Sequence, residues 1–108
     1  MRAPGGFSAE AYTRRMSADR TRAQVLYTGW VQGVGFRWRT CRVADEFDVT
    51  GWVRNRTDGR VELVAEGATD EVQTFLASLA ERMDRHIEDQ EIDWGEATGE
   101  FRSFDVRR

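Results

Sequence analysis

No lysine occurs anywhere in this sequence of 108 residues, so all 16 basic side chains are arginines. A Walker A loop needs its lysine and Schiff-base catalysis needs an amine, so both are excluded. Cys41 is the single cysteine, which removes an intramolecular disulfide and a cysteine-rich zinc site together. His86 is the single histidine; it follows the second expected helix and reads as a surface residue rather than a catalyst or metal ligand. No apolar run approaches the roughly 18 residues that cross a bilayer, and the amino terminus lacks the apolar stretch of a secretory signal. No membrane partner is expected, and the cytoplasm is the expected compartment. The net charge of -3 also argues against a nucleic-acid partner, whose binding rests on clustered positive charge.

What is present describes a globular chain: 40% hydrophobic and 11% aromatic residues with only one proline, in a length that suits one compact domain. Residues 1–22 contain Pro4, Gly5 and Gly6 and few large apolar groups, and are expected to form a mobile leader. A helical turn around residues 10–16 is compatible with this segment, and Met16 is a candidate natural start. The domain is expected to occupy residues 23–108.

Val25, Tyr27, Gly29 and Val31 alternate with Leu26, Thr28 and Trp30, the period of a strand. Phe36, Thr40, Cys41, Ala44 and Phe47 then recur at helical spacing, with Asp48 at the expected helix end as a residue that tolerates the left-handed conformation. Two strand patterns at residues 50–54 and 60–66 flank Asp58-Gly59, a reversal signal, and read as a hairpin. Thr69 or Asp70 offers a cap to a second helix carrying Val72, Phe75, Leu76, Leu79, Ala80 and Met83 on one face. Residues 87–94 and 101–106 alternate again as closing strands. The order predicts an α+β, ferredoxin-like split βαβ sandwich, with two helices on one face of a four- to five-stranded, mainly antiparallel sheet. This architecture hosts many activities, so function has to be read from a site.

Gly33-Val34-Gly35 falls in a strand-to-helix turn, where successive backbone N–H groups converge and the helix N-terminus adds partial positive charge. Glycine admits the positive φ angles and the close approach of an oxyanion. Arg37, in the first helical turn, adds a planar pair of donors suited to phosphate. Taken alone, the glycines also suit a plain tight turn and Arg37 a solvated helix residue. A dinucleotide fingerprint would need a third glycine where Trp38 stands. Asn55 ends its strand at the lip of the hairpin. Its carboxamide can orient a water molecule but is no base near neutral pH; a turn residue with unusual backbone angles is the alternative.

Gly29-Trp30-Val31-Gln32-Gly33-Val34-Gly35-Phe36-Arg37 resembles the first signature of the acylphosphatase family. Gly51-Trp52-Val53-Arg54-Asn55, with Gly59, Val61 and Gly67, resembles its second, and the resemblance runs over residues 25–106. It implies hydrolysis of a small-molecule acyl phosphate to a carboxylate and inorganic phosphate, with phosphate as product and inhibitor. It also implies a monomer that needs no cofactor and no metal. By the same resemblance Arg37 binds the phosphate and Asn55 positions the attacking water, while Gln32, Gly33, Val34, Gly35, Phe36 and Arg37 form the substrate loop. Two positions depart from the family pattern: Tyr27 replaces an aliphatic residue, and Asp48 stands where a glycine commonly ends the first helix. Neither touches the implied chemistry.

Other phosphatase chemistries fit less well. Phe47 stands six residues after Cys41, where a cysteine-nucleophile phosphate loop needs arginine, so Cys41 reads as a small core residue. Asp45, Glu46 and Asp48 are spaced as a solvated helix end rather than a paired-aspartate motif. Trp30, Trp38, Trp52 and Trp94 are candidates to flank the pocket, with core packing the expected role for most. Two rivals from other classes are a non-catalytic acylphosphatase-like module of a carbamoyl-transfer protein, which normally comes with zinc-binding cysteines, and a ferredoxin-like RNA-binding module, which needs a basic surface.

Overall fold

The computed structural model describes residues 20–108. Its elements are β1 (Arg20–Gly29), α1 (Phe36–Ala44), β2 (Val49–Asn55), β3 (Val61–Ala68), α2 (Thr69–Arg82), β4 (Ile87–Glu96) and β5 (Phe104–Val106). The strands form one sheet in the order β4-β1-β3-β2-β5, antiparallel except where β5 runs parallel to β2.

The alternation of apolar residues decides which face is covered. Ala23, Val25 and Tyr27 of β1 stand opposite Ala65, Leu63 and Val61 of β3, and Val53 of β2 also stands opposite Leu63. All are buried together with Phe36 and Val43 of α1 and with Val72, Phe75, Leu76 and Leu79 of α2, so both helices pack on this face. Gly51 lies on the same side with φ 141°, and a Cβ there would stand 1.9 Å from the Val64 carbonyl oxygen. Only glycine lets β2 approach β3 so closely at this point.

The opposite face carries two buried carboxylates. Glu62 accepts hydrogen bonds from Gln24 Nε2 at 2.6 Å and Arg54 Nε at 2.9 Å. Glu66 accepts from the backbone N–H of Thr98 at 2.9 Å, the Thr98 hydroxyl at 2.9 Å, the N–H of Gly99 at 3.0 Å and Arg22 at 3.1 Å. Residues 97–103 carry the chain from edge strand β4 to edge strand β5, and Glu66 on central β3 is the clamp that fastens this crossing.

Burial by itself raises the pKa of both carboxyls, but the hydrogen bonds and neighbouring arginines outweigh it, and both lie below the ordinary carboxylate value. A carboxyl depressed in the folded state contributes stability above its unfolded pKa and loses it as pH falls through the folded value. Stability should therefore decline once pH drops below the ordinary value of 4.5, and Glu66→Gln should flatten that acid limb. Urea midpoints measured from neutral to acid pH check this; an unchanged acid slope in the variant would remove Glu66 from the account.

Several expectations are corrected. β1 begins at Arg20, so Arg20, Thr21 and Arg22 belong to the sheet rather than the leader; the expected turn at residues 10–16 and Met16 lie outside the described residues. The last strand is only Phe104–Val106, because Glu66 holds residues 98 and 99 across the sheet before pairing with β2 begins. Asp48 adopts no left-handed conformation, since no described residue other than glycine has positive φ. The helix ends instead at Asp45, whose N–H donates to the Cys41 carbonyl. The second helix is preceded by Ala68 as its cap rather than by Thr69 or Asp70. Trp30, Trp38 and Trp94 are exposed, and only Trp52 is buried. Trp38 lies off the buried stripe of α1, where the Arg42 guanidinium stacks 5.0 Å from its ring centre, and Trp94 sits on edge strand β4.

Candidate active site

β1 ends at Gly29, and the chain reaches α1 through a short loop with two left-handed residues, Gly33 at φ 80° and Gly35 at φ 78°. A Cβ at either position would meet no protein atom within 4 Å, so the positive φ, not crowding by neighbours, requires glycine here. Gly35 is the N-cap of α1 with no side-chain hydrogen bond, and the first turn holds no acidic residue. The first backbone bond of the helix runs from Arg39 N–H to the Gly35 carbonyl at 3.0 Å. The N–H groups of Phe36, Arg37 and Trp38 precede it, and the helix dipole adds positive potential at the same place.

Gln32 also holds the loop in place. Its Nε2 donates to the carbonyls of Arg56 at 2.7 Å and Arg60 at 2.9 Å, tying the loop to the turn between β2 and β3. The side chain is thereby engaged as a brace. Gln32→Ala should cost about 1 kcal/mol, the usual value of such bonds, and raise KM severalfold by loosening the loop. Urea denaturation and initial rates measure both; unchanged KM would show that the brace does not set the loop.

Gly33, Gly35, Phe36, Arg37 and Asn55 line one cleft of about 360 Å³. Val31, Trp38, Cys41, Val106 and Arg108 complete its wall. Gln32 and Val34 are not part of this lining; Val34 instead packs against the core. β2 carries Asn55 to the cleft as its last residue, opposite Val61 of β3. Asn55 Oδ1 is buried and accepts no hydrogen bond. A buried amide oxygen without a donor costs about 1–3 kcal/mol, so this atom is one that a ligand or bound water would satisfy. Tyr27 is buried against Phe36: its ring lies 5.2 Å from that of Phe36, centre to centre, and burial pushes its phenol well above the ordinary range. It stays neutral there.

The arginines divide into two groups. Arg54 pairs with Glu62 at 2.8 Å, Arg56 with Asp58 at 3.0 Å and Glu62 at 3.5 Å, and Arg60 with Asp58 at 2.8 Å. Arg37 has no carboxylate partner among the described residues, so its donors remain open to an anion. Cys41 is half-buried, packed against the core on one side and lining the cleft on the other. Burial, then the charges of Asp105 and Asp45, push its thiol upward, so it remains a protonated wall residue and no nucleophile. His86 does not line the cleft; it stands edge-on to Trp30, 5.8 Å between ring centres.

Reading the sequence did not anticipate Cys41, Val106 and Arg108 at this cleft. The last two arrive through the parallel pairing of β5 with β2, which links positions far apart in the chain and leaves no local pattern.

Comparison with known proteins gives a consistent answer. The acylphosphatase family model matches residues 23–106. The acylphosphatase of Salinibacter ruber is 46% identical over 88 residues, which are 81% of this chain and 93% of that protein. The crystal structure of acylphosphatase from Bacillus subtilis superposes with a TM-score of 0.73 at 29% identity, over 82% of this chain and 99% of that one. The crystal structure of T. kodakarensis HypF superposes with a TM-score of 0.70 at 28% identity, over 81% of this chain but only 12% of that one.

Proposed function

Because the chain belongs to the acylphosphatase family, we propose that it hydrolyses acyl phosphates by holding the phosphoryl group in the 33–37 loop while Asn55 aligns the attacking water. One observation carries the reading: an unpaired arginine, a left-handed glycine turn at a helix N-terminus and a buried amide oxygen without a donor meet in one cleft.

The chemistry asks for no more than this. An acyl phosphate is a mixed anhydride, and its carboxylate departs without protonation, so a general acid is unnecessary. The water oxygen bonds to phosphorus as the bridging P–O bond breaks, and the bridging pair leaves on the carboxylate. The water proton passes to a phosphoryl oxygen of the substrate, in keeping with a lining that contains no carboxylate or histidine side chain among the described residues. Phe36, Arg37 and Trp38 N–H groups and the Arg37 guanidinium offer donors where charge develops on the equatorial oxygens.

The test is hydrolysis of benzoyl phosphate by the purified protein, with inorganic phosphate as a competitive inhibitor. Noncompetitive or absent inhibition at saturating phosphate would count against the loop as the substrate site. The likeness to HypF covers only 12% of that protein; the alternative of a non-catalytic module is rejected by measurable turnover. We further propose a monomer acting in the cytoplasm; among the described residues no helix is long and apolar enough to cross a membrane.

A further inference from the structure

We propose that the Trp38 ring is the platform for the acyl half of the substrate, favouring broad apolar acyl groups, aromatic ones above all, over acetyl. The inference rests on the acyl-phosphate reading of the cleft and adds a specificity-determining residue to it.

Exposure singles out this side chain. Among the apolar residues that line the cleft, Val31 and Phe36 are only 1% and 2% exposed, so a ligand touching them removes almost no further surface from water. Trp38 is 62% exposed and Val106 42%, and Trp38 is much the larger. Whatever is joined to a phosphoryl group seated in the 33–37 loop therefore gains hydrophobic burial chiefly against Trp38. Trp38 also follows Arg37 directly, within the first turn of α1, which anchors it beside the phosphoryl donors. At about 360 Å³ the cleft has room for a small ligand and not for an anion alone.

The helix sets how the ring is turned. Helical side chains lean towards the N-terminus of their own helix, and α1 begins at the glycine turn, with Gly35 as its N-cap. The Arg42 guanidinium, one turn further along, stacks 5.0 Å from the Trp38 ring centre. It covers the ring from the C-terminal side and leaves the face towards the turn open. Arg42 stays there because its neighbour one turn on, Glu46, is engaged elsewhere: both oxygens accept from Arg82, at 2.7 Å each. Arg42 has no carboxylate partner among the described residues. A flat ring already held on one face loses little freedom when a planar acyl group stacks on the other.

The experiment measures kcat/KM for benzoyl phosphate and acetyl phosphate, each divided by the uncatalysed rate of the same compound, in wild type, Trp38→Ala and Trp38→Phe. Wild-type protein should favour benzoyl phosphate, chiefly through KM. Trp38→Ala should lower the benzoyl-to-acetyl ratio by about two- to tenfold, the yield of one stacked aromatic pair, and Trp38→Phe, which keeps a smaller ring, should fall between the two. Both substrates are measured on one preparation, so any unfolded fraction cancels from the ratio. A wild-type ratio near one, or a ratio unchanged in Trp38→Ala, would overturn the proposal. So would a Trp38→Phe ratio as low as that of Trp38→Ala, since the acyl group would then not be meeting a ring. If neither substrate is hydrolysed faster than by the Arg37→Ala protein, the acyl-phosphate reading itself fails and takes this inference with it.

Discussion

Arg37→Ala should lower benzoyl phosphate turnover by at least about two orders of magnitude, the loss that follows deletion of one oriented donor from an oxyanion site. Arg37 has no carboxylate partner among the described residues, whereas Arg54, Arg56 and Arg60 are each engaged by Glu62 or Asp58. Arg108 also lines the cleft, but it comes from the end of the chain beside β2 and not from the glycine turn. The substitution should also weaken competitive inhibition by inorganic phosphate, because ground-state phosphate uses the same donors. Its effect on folding should stay within about 0.5 kcal/mol, as for surface changes that break no pairing, so a fall in activity cannot be blamed on unfolding. Arg37→Lys should recover only part of the rate, since an ammonium group cannot supply the planar pair of donors. Wild-type turnover no faster than that of Arg37→Ala would sink the enzymatic reading.

Asn55→Ala should produce a loss of similar size with a different signature. Turnover should fall by about two orders of magnitude while inhibition by phosphate stays close to wild type, because the amide is assigned to the water and not to the phosphoryl oxygens. Stability distinguishes this role from that of a turn residue. Asn55 Oδ1 accepts no hydrogen bond from the protein, so removing it relieves a buried, unsatisfied acceptor instead of breaking a bond. The variant should be as stable as wild type or slightly more so. Reduced stability with normal kcat would identify Asn55 as a structural turn residue and leave the water without a guide. Asn55→Asp should fail as well, since a carboxylate would face an anionic substrate.

The elements were legible where the pattern is local. The helix-spaced stripe Val72, Phe75, Leu76 and Leu79 and the alternation Val25, Tyr27 each answer to one neighbouring surface, and both are buried as their spacing requires. The Asp58-Gly59 reversal lies between the strands it was expected to join, with Gly59 at φ 92°. Tryptophan was misread for an equally physical reason. Ring size favours burial only if a covered surface is available, and Trp30, Trp38 and Trp94 lie on a loop, on the outer side of α1 and on an edge strand. The bracing by Gln32 was equally hidden, because its Nε2 donates to two carbonyls of a turn more than twenty positions away in the chain.

The sequence by itself determined the glycine turn at the N-terminus of α1, because the positive φ of Gly33 and Gly35 and the helix-terminal N–H groups arise within a few consecutive residues. It also determined the helix and strand order, since periodicity reports which side of a segment is buried. Only the tertiary structure decided what stands opposite that turn. Asn55 comes to it because antiparallel pairing with β3 ends at Val61, and Arg108 because β5 joins β2 in parallel after residues 97–103 cross the sheet over Glu66. Such contacts depend on register between distant strands, which no local spacing encodes.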